Sequence, residues 1–477
     1  MTTHGATVKA TAGGTVAGRL AEWLVAGRTR GVPAAARHEA KRLLLNQLKA
    51  SVAAADHPAI GALHDWQREK QATGRAATLL WLGGSAPTED AAALNSALFE
   101  VLDFNETHIP TYVHATSAVA PAVLAEAELF GASGALVVDA LALGLEVDLV
   151  VATLLMPGCY VRGFTPGVLV GGVGAAAAVS VLRGFDVETT RNALAIAMVT
   201  ATGPMEAIGS SAHPYAQGFA ARSGVVACQL AARGIETAPT AFEGEKGMLS
   251  SMSGESPERI DAVLAALADP ERRWLMQDTS YKRLPTETIT QAPLDCVLAI
   301  LARREGGAAA FPAIERMRFL VEPIVARVSA ERFARFGTPR TDLQARFDLR
   351  FCAASTWTRG RFTLAEMAEP AFTDPAILAL RGRVDIAADE TRTLDGAALE
   401  IAFADGSSER AEIPAFRGSA ENPLTDDELS QVFRGAAAGV IPGAQAEEVL
   451  AALWSLAEAP SLGRLVAATQ PAARVVA

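Results

Sequence analysis

The stretch GVLVGGVGAAAA, Gly167–Ala178, decides how the fold is read. In form it holds a dinucleotide-binding fingerprint, Gly172-x-Gly174-x-x-Ala177, behind an apolar run. That reading needs a full strand before the glycines and alternating strands and helices around them. The apolar run is only Val168–Val170, and the chain downstream continues in helical periodicity. Small residues on a tightly packed helix account for the same letters, because a face of Gly and Ala lets neighbouring helices approach closely.

Outward from this segment, apolar residues recur every three to four positions from Val16 to about Gly234, with Gly or Pro at the breaks. The predicted helices include Ala34–Ala55, Ala91–Phe104, Val119–Phe130, Ala135–Leu155, Gly171–Leu182, Glu188–Ala201 and Tyr215–Arg233. No fixed internal period argues for a solenoid. The pattern changes after Asp278. IERMRFLV from Ile314, QARFDLRF from Gln344, RGRVDIAAD from Arg381 and LEIAFADGSSERAEI from Leu399 alternate partly apolar with polar, as strands do. Asp405-Gly406 at the centre of the last is a hairpin signal. Helical pattern returns at Thr425. The expectation is a mainly α protein with an α+β part: a helical domain of residues 1–278 and 425–477, and a smaller α+β lid of residues 279–424.

Composition narrows the function. A net charge of −11 over 477 residues argues against nucleic acid or an anionic membrane as partner, while leaving room for a local cation cluster that binds a small anion. Cys159, Cys228, Cys296 and Cys352 are far apart without CxxC spacing, which disfavours a disulfide framework or zinc site. The polar N-terminus MTTHGATVKATAGG lacks the apolar centre of a signal peptide, so a cytoplasmic location is expected. The most apolar stretch, Ala135–Pro157, carries Asp139, Glu146 and Asp148 and reads as a buried helix rather than a membrane span. There is no P-loop, HExxH or GxSxG, and the seven histidines have no metal-ligand spacing. No metal or organic cofactor is expected.

Four clusters carry possible chemistry. VLDFNETHIPTYVHATSAVAP, Val101–Pro121, sets Asp103 and Thr107 four apart, on one face if the helix continues, with His114 in a loop beyond Pro110. This is either a proton-transfer site or a solvated helix end followed by a turn histidine. GCYVRGFTPG, Gly158–Gly167, places Tyr160 and Arg162 in a turn between apolar helices, where the arginine needs an anionic partner, a substrate carboxylate or an internal acid. SSAHPYAQG, Ser210–Gly218, puts His213 at a helix start as an acid–base group or a simple cap. SYKRLPTET, Ser280–Thr288, puts Lys282 and Arg283 at the domain boundary, as a desolvated base in a cleft or a solvated basic pair.

Taken together the clusters resemble the MmgE/PrpD family, which includes 2-methylcitrate dehydratases, cis-aconitate decarboxylases and iminodisuccinate epimerases. The resemblance runs through DFNETHIPTYVHATSAVAPAVLAEAE, YVRGFTPG, AHPYAQGFAARSG, AFEGEKGML, QARFDLRF and RGSAENPLTDDEL, six segments in the family's order over nearly the whole chain. It implies a large all-helical domain with an α+β lid, a homodimer, a small carboxylate substrate and an active site free of metal and cofactor. It places Asp103, Thr107, His114 and Lys282 at site positions, with Tyr160, Arg162, His213 and Arg283 on or beside motif positions. Departures are equally informative. Thr165 and Ser210 stand where many members carry a histidine and a lysine, and Glu287 and Gln291 stand where they carry a cysteine and a histidine. Three potential cations are therefore missing. Because each desolvated carboxylate needs a charge-assisted partner, the substrate is expected to carry fewer carboxylates than methylcitrate or cis-aconitate.

The expected activity is a lyase of the dehydratase type. Lys282 or His114 takes the proton beside a carboxylate, the other or Tyr160 protonates the leaving group, and Arg162 and Thr107 hold the carboxylate. The alternative is epimerisation of an iminodisuccinate-like dicarboxylate between Tyr160 and Lys282. Decarboxylation is less favoured because of Thr165. A nicotinamide oxidoreductase and an inactive helical scaffold are the readings from other classes.

Overall fold

The computed structural model describes residues 14–70 and 76–471, so residues 1–13 of the N-terminal stretch read for a leader lie outside the described residues. The chain is mainly helical with small sheets, and it divides into two units. The first takes in residues up to Val101, Pro110–Asp278 and Phe433 onward; the second takes in Leu102–Ile109 and Thr279–Val432. Against the expected boundaries, residues 102–109 and 425–432 group with the α+β unit.

The helical unit is organised around Pro166–Arg183, the segment with the ambiguous glycines. It is one continuous helix with no strand before it, so the nucleotide fingerprint is coincidental. It begins at Pro166, whose fixed φ suits a first helical position, and ends at Gly184 in the left-handed conformation (φ 66°). Its small residues are contact points. A Cβ on Gly174 would lie 2.5 Å from Asp148 Oδ1, and one on Gly171 would lie 2.7 Å from the Ala118 Cβ. Ala175 and Ala178 meet Gly224 and Gly144 equally closely. Helices Ala115–Phe130, Gly134–Leu155, Val187–Val199 and Ala212–Ala231 therefore pack backbone against backbone around it.

Pro166–Arg183 is also the one helix among the described residues long and apolar enough to cross a membrane, and nearly all of it is buried inside the unit. The stretch expected to be a buried helix, Ala135–Pro157, is helix Gly134–Leu155. Two of its acids are paired: Asp139 with Arg37 and the buried Glu146 with Arg272, burial raising the Glu146 pKa against the pull of that arginine.

The second unit is built on a four-stranded sheet in the order Val384–Ala388, Ile314–Val321, Ala397–Phe403, Ser408–Ile413. The first pair is parallel and the others are antiparallel. The hairpin turns at Asp405-Gly406, where Gly406 has φ 84° and Asp405 Oδ1 accepts from the Ser407 N–H at 2.9 Å. Met317, Phe319, Leu399 and Phe403 from the sheet meet Phe351, Cys352, Val297 and Ile300 from helices Leu349–Arg359 and Thr288–Leu301 in one core.

One expected strand is absent. QARFDLRF forms the end of the short helix Asp342–Arg346 and the start of Leu349–Arg359. Asp348 between them caps the second helix, its Oδ1 accepting from Arg350 N at 3.0 Å and Phe351 N at 3.2 Å. Capping chemistry overrides the alternation. All four cysteines are buried and free.

Candidate functional site

Each sequence cluster is placed by local backbone constraints. The expected helical continuation through Asp103 and Thr107 does not occur: the helix ends at Glu100, and Asp103 takes a left-handed backbone (φ 47°). Asp tolerates this conformation better than most residues, but it costs energy and needs support from its surroundings. The turn sends Thr107-His108 into a two-residue antiparallel ladder with Thr279-Ser280, pairing Thr107 with Ser280 and His108 with Thr279. Two residues further along, Lys282 returns to Asp103.

Lys282 is 1% exposed. Its Nζ donates to Asp103 Oδ1 at 2.6 Å and to the Asp103 carbonyl oxygen at 2.8 Å. Both bonds are made to the residue that carries the left-handed backbone. Beside the pair, Thr107 Oγ1 and Thr288 Oγ1 share a buried hydrogen bond of 2.6 Å. Arg283, the adjacent residue, pairs instead with Asp295. The expected basic pair is thus split, with Lys282 buried and Arg283 partly exposed.

Further charges surround this pair that the sequence did not single out as site residues. Glu287 is bound to Arg332, yet burial raises its pKa, and it feels both Asp103 and Lys282. Arg346 is fully buried with Asp342 Oδ2 at 2.6 Å; burial lowers its pKa, while Asp342 and Asp103 hold it charged. Arg346 lay in the segment read as a strand, where nothing distinguished it from a solvated arginine. His108 is 2% exposed, and burial lowers its pKa to about 4.

The helical unit holds the remaining expected residues. His114 is the residue before helix Ala115–Phe130, and its backbone nitrogen lies 3.8 Å from where a Cβ on Gly167 would be. Tyr160 sits 5.5 Å from Tyr112, centroid to centroid. Gly163 O accepts from Met205 N, and Thr165 N donates to Gly203 O, both at 2.8 Å, so the 158–165 turn is pinned to 203–205.

Arg162 departs from expectation. It is exposed, and its Nη1 donates to the carbonyls of Met252 at 2.8 Å and Gly158 at 3.3 Å. Short glycine-rich turns leave the long side chain at the surface, so the apolar setting expected for it is not found. Ser210 is likewise exposed and donates to Ala207 O at 2.6 Å. His213 lies in the first turn of Ala212–Ala231 with Nε2 4.0 Å from Glu100 Oε1.

The structure thus brings Asp103, Thr107 and Lys282 together in the α+β unit, and brings the backbone of His114 to the start of the Pro166–Arg183 helix in the helical unit. A buried lysine fixed by a carboxylate and a carbonyl is an acid–base group of defined position. Among the described residues there is no group of three or more His, Cys, Asp or Glu placed to hold a metal ion.

Comparison with known proteins agrees with this architecture. Residues 18–260 match the model of the MmgE/PrpD N-terminal domain, and residues 284–456 match that of the MmgE/PrpD C-terminal domain. The chain is similar to cis-aconitate decarboxylase of Homo sapiens, 26% identical over 373 residues covering 74% of each chain. It is also similar to the cis-aconitate decarboxylase-like protein oryM of Aspergillus oryzae, 24% identical over 480 residues covering 95% of this chain and 97% of the relative. With both domain models matched in order over most of its length, the chain belongs to the MmgE/PrpD family of enzymes.

Proposed function

We propose that the protein is a cofactor-independent lyase that moves a proton at the carbon beside a carboxylate of a small organic acid, with elimination as the reaction type. The observation that carries this reading is Lys282, buried and held by two oxygens of Asp103. Proton transfer from or to carbon needs a group fixed to within a fraction of an ångström, and it benefits from exclusion of water. Asp103 positions the lysine, and Thr107, tied to Thr288, supplies a hydroxyl beside it. Negative charge that develops on the substrate carboxylate during proton removal is stabilised by a fixed ammonium. Glu287 stands where a cysteine is common in the resembling enzymes; an acid there subtracts positive charge and fits a substrate with fewer carboxylates.

The names of the relatives favour a second reading, decarboxylation, in which the same group protonates the carbanion left after carbon dioxide departs. The two separate by product. Incubation of the protein in deuterated buffer with hydroxy-, phospho- and unsaturated di- and tricarboxylic acids, followed by proton NMR, reports new vinyl signals without loss of a carboxylate for elimination. Loss of one carboxylate with deuterium at the neighbouring carbon reports decarboxylation. Exchange alone would indicate an epimerase and overturn the lyase reading.

A further inference from the structure

A cavity of about 270 Å³ lies in the helical unit beside the C-terminal ends of helices Val16–Arg30 and Pro257–Ala268. Trp23, Val32, Leu267 and Trp274 give it apolar walls, and Arg30 and Arg272 give it cations. That volume holds one ring with a short side arm, at the small end of ligand cavities. Asp269 also lines it, but its Oδ1 is taken by the Glu271 N–H at 2.9 Å, and Arg30 balances its charge.

The Arg272 guanidinium is held along part of its edge only. Nη1 donates to Glu146 Oε1 and to the Arg273 carbonyl at 3.2 Å, and the buried Glu146 is itself fixed by the Leu275 N–H at 2.9 Å. Nε donates at 3.1 Å to the carbonyl of Leu267, a residue of the cavity wall. The planar fork sets Nη2 on the same edge as Nε. Nη2 is buried, and among the described residues it has no hydrogen-bond partner. A buried charged donor left unmatched is costly, so this edge calls for an acceptor. Two indole rings flank the same group. Arg272 Cζ is 5.8 Å from the centre of the Trp23 ring and 5.4 Å from that of Trp274, and the two rings stand 5.6 Å apart at 54°. A ligand that carries an anion on an aromatic body satisfies both features: the anion meets the open guanidinium edge, and the ring packs on the indoles.

We propose that Arg272 Nη2, Trp23 and Trp274 form a binding site for a small aromatic monocarboxylate, with Arg30 adding favourable charge. The site lies wholly within the helical unit and shares no residue with the Lys282 cluster. It does not depend on the lyase reading.

The test is isothermal titration calorimetry with phenylacetate, using neutral phenylacetamide as the control. The proteins are wild type, Arg272→Lys, Trp23→Leu, Arg30→Gln and Lys282→Ala, each first shown to be folded by its ligand-free melting curve. Wild type binds phenylacetate about tenfold or more tighter than phenylacetamide, and its tryptophan emission shifts on binding. Arg272→Lys keeps a cation for Glu146 but gives up the Nη2 edge, and weakens phenylacetate about tenfold or more. Trp23→Leu, at a partly exposed position, weakens acid and amide alike. Arg30→Gln weakens the acid at low salt and not at high salt. Lys282→Ala binds as wild type does. Should Arg272→Lys fail to fold, Trp23→Leu and the acid-to-amide ratio decide. Wild type that binds no phenylacetate, equal affinity for acid and amide, or a folded Arg272→Lys or Trp23→Leu with wild-type affinity overturns the site. Binding lost in Lys282→Ala and kept in Arg272→Lys places the acid at Lys282 and overturns it as well. If proton NMR shows no turnover of any acid yet Arg272-dependent binding persists, the lyase reading fails and the site stands.

Discussion

Replacing Lys282 by methionine removes the positive member of a buried pair and leaves the Asp103 carboxylate, 13% exposed, without it. Breaking a buried pair from one side costs about 3–5 kcal/mol because the remaining charge is uncompensated. The change removes both lysine contacts of Asp103, while Arg346, which also feels the Asp103 charge, keeps the expected cost toward the lower end of that range. For a unit of this size the expected fall in melting temperature is at least about 6 °C. Asp103→Asn in the same chain removes the stranded charge while tolerating the positive φ. The double variant Asp103→Asn/Lys282→Met is therefore expected to melt above the single Lys282→Met. Differential scanning calorimetry on wild type, both singles and the double closes the cycle. A Lys282→Met protein that melts within about 2 °C of wild type, or a double variant no better than that single, would show that the pair is not the buried ion pair described here.

Other consequences can be measured directly. Burial disfavours the charged form of His108 and pulls its pKa down from the ordinary 6.5 to about 4. Between those values the unfolded chain binds a proton that the folded chain does not. Stability therefore falls as pH drops through this window, by on the order of 3 kcal/mol in total, and His108→Gln flattens that part of a urea-stability profile measured against pH. Gly224→Val forces side-chain atoms into the Ala175 Cβ and Gly172 O, each within about 2.6 Å of a built Cβ, and should destabilise by about 1–3 kcal/mol or more. Gly61, in the exposed face of helix Pro58–Glu69 with open space around it, behaves oppositely: Gly61→Ala should stabilise by about 0.5–1 kcal/mol. Both are read by thermal unfolding.

What the sequence disclosed follows from which forces act locally. Helix periodicity placed Gly134–Leu155 and Ala212–Ala231 to within a few residues, since the buried stripe is written into spacing. The Gly172–Ala177 fingerprint was correctly read as packing because its neighbours along the chain contradicted a nucleotide fold. QARFDLRF failed as a strand because Asp348 caps a helix, and a side-chain cap overrides two-residue alternation. The helix through Asp103 failed because the contacts made by a left-handed aspartate include Lys282, 179 residues away in the chain. Among the candidate residues, Asp103, Thr107 and Lys282 were marked out by motif, and the structure sets Lys282 on Asp103. Arg162 is exposed rather than set among apolar side chains, because an arginine between apolar helices can still reach solvent across a turn. Arg346 carried no local mark, since burial is set by the fold and not by the residue's immediate neighbours.

The most direct test of the central claim is proton NMR in deuterated buffer on wild type and Lys282→Ala, with calorimetry confirming that both are folded and His114→Asn as a companion variant. Wild type is predicted to form an unsaturated product, or to release carbon dioxide and take up deuterium, from at least one small carboxylic acid, with Lys282→Ala slower by about 10²-fold or more. A folded Lys282→Ala protein that turns over at the wild-type rate would contradict the role given to this lysine, and a wild type inert toward every acid would contradict the proposed reaction.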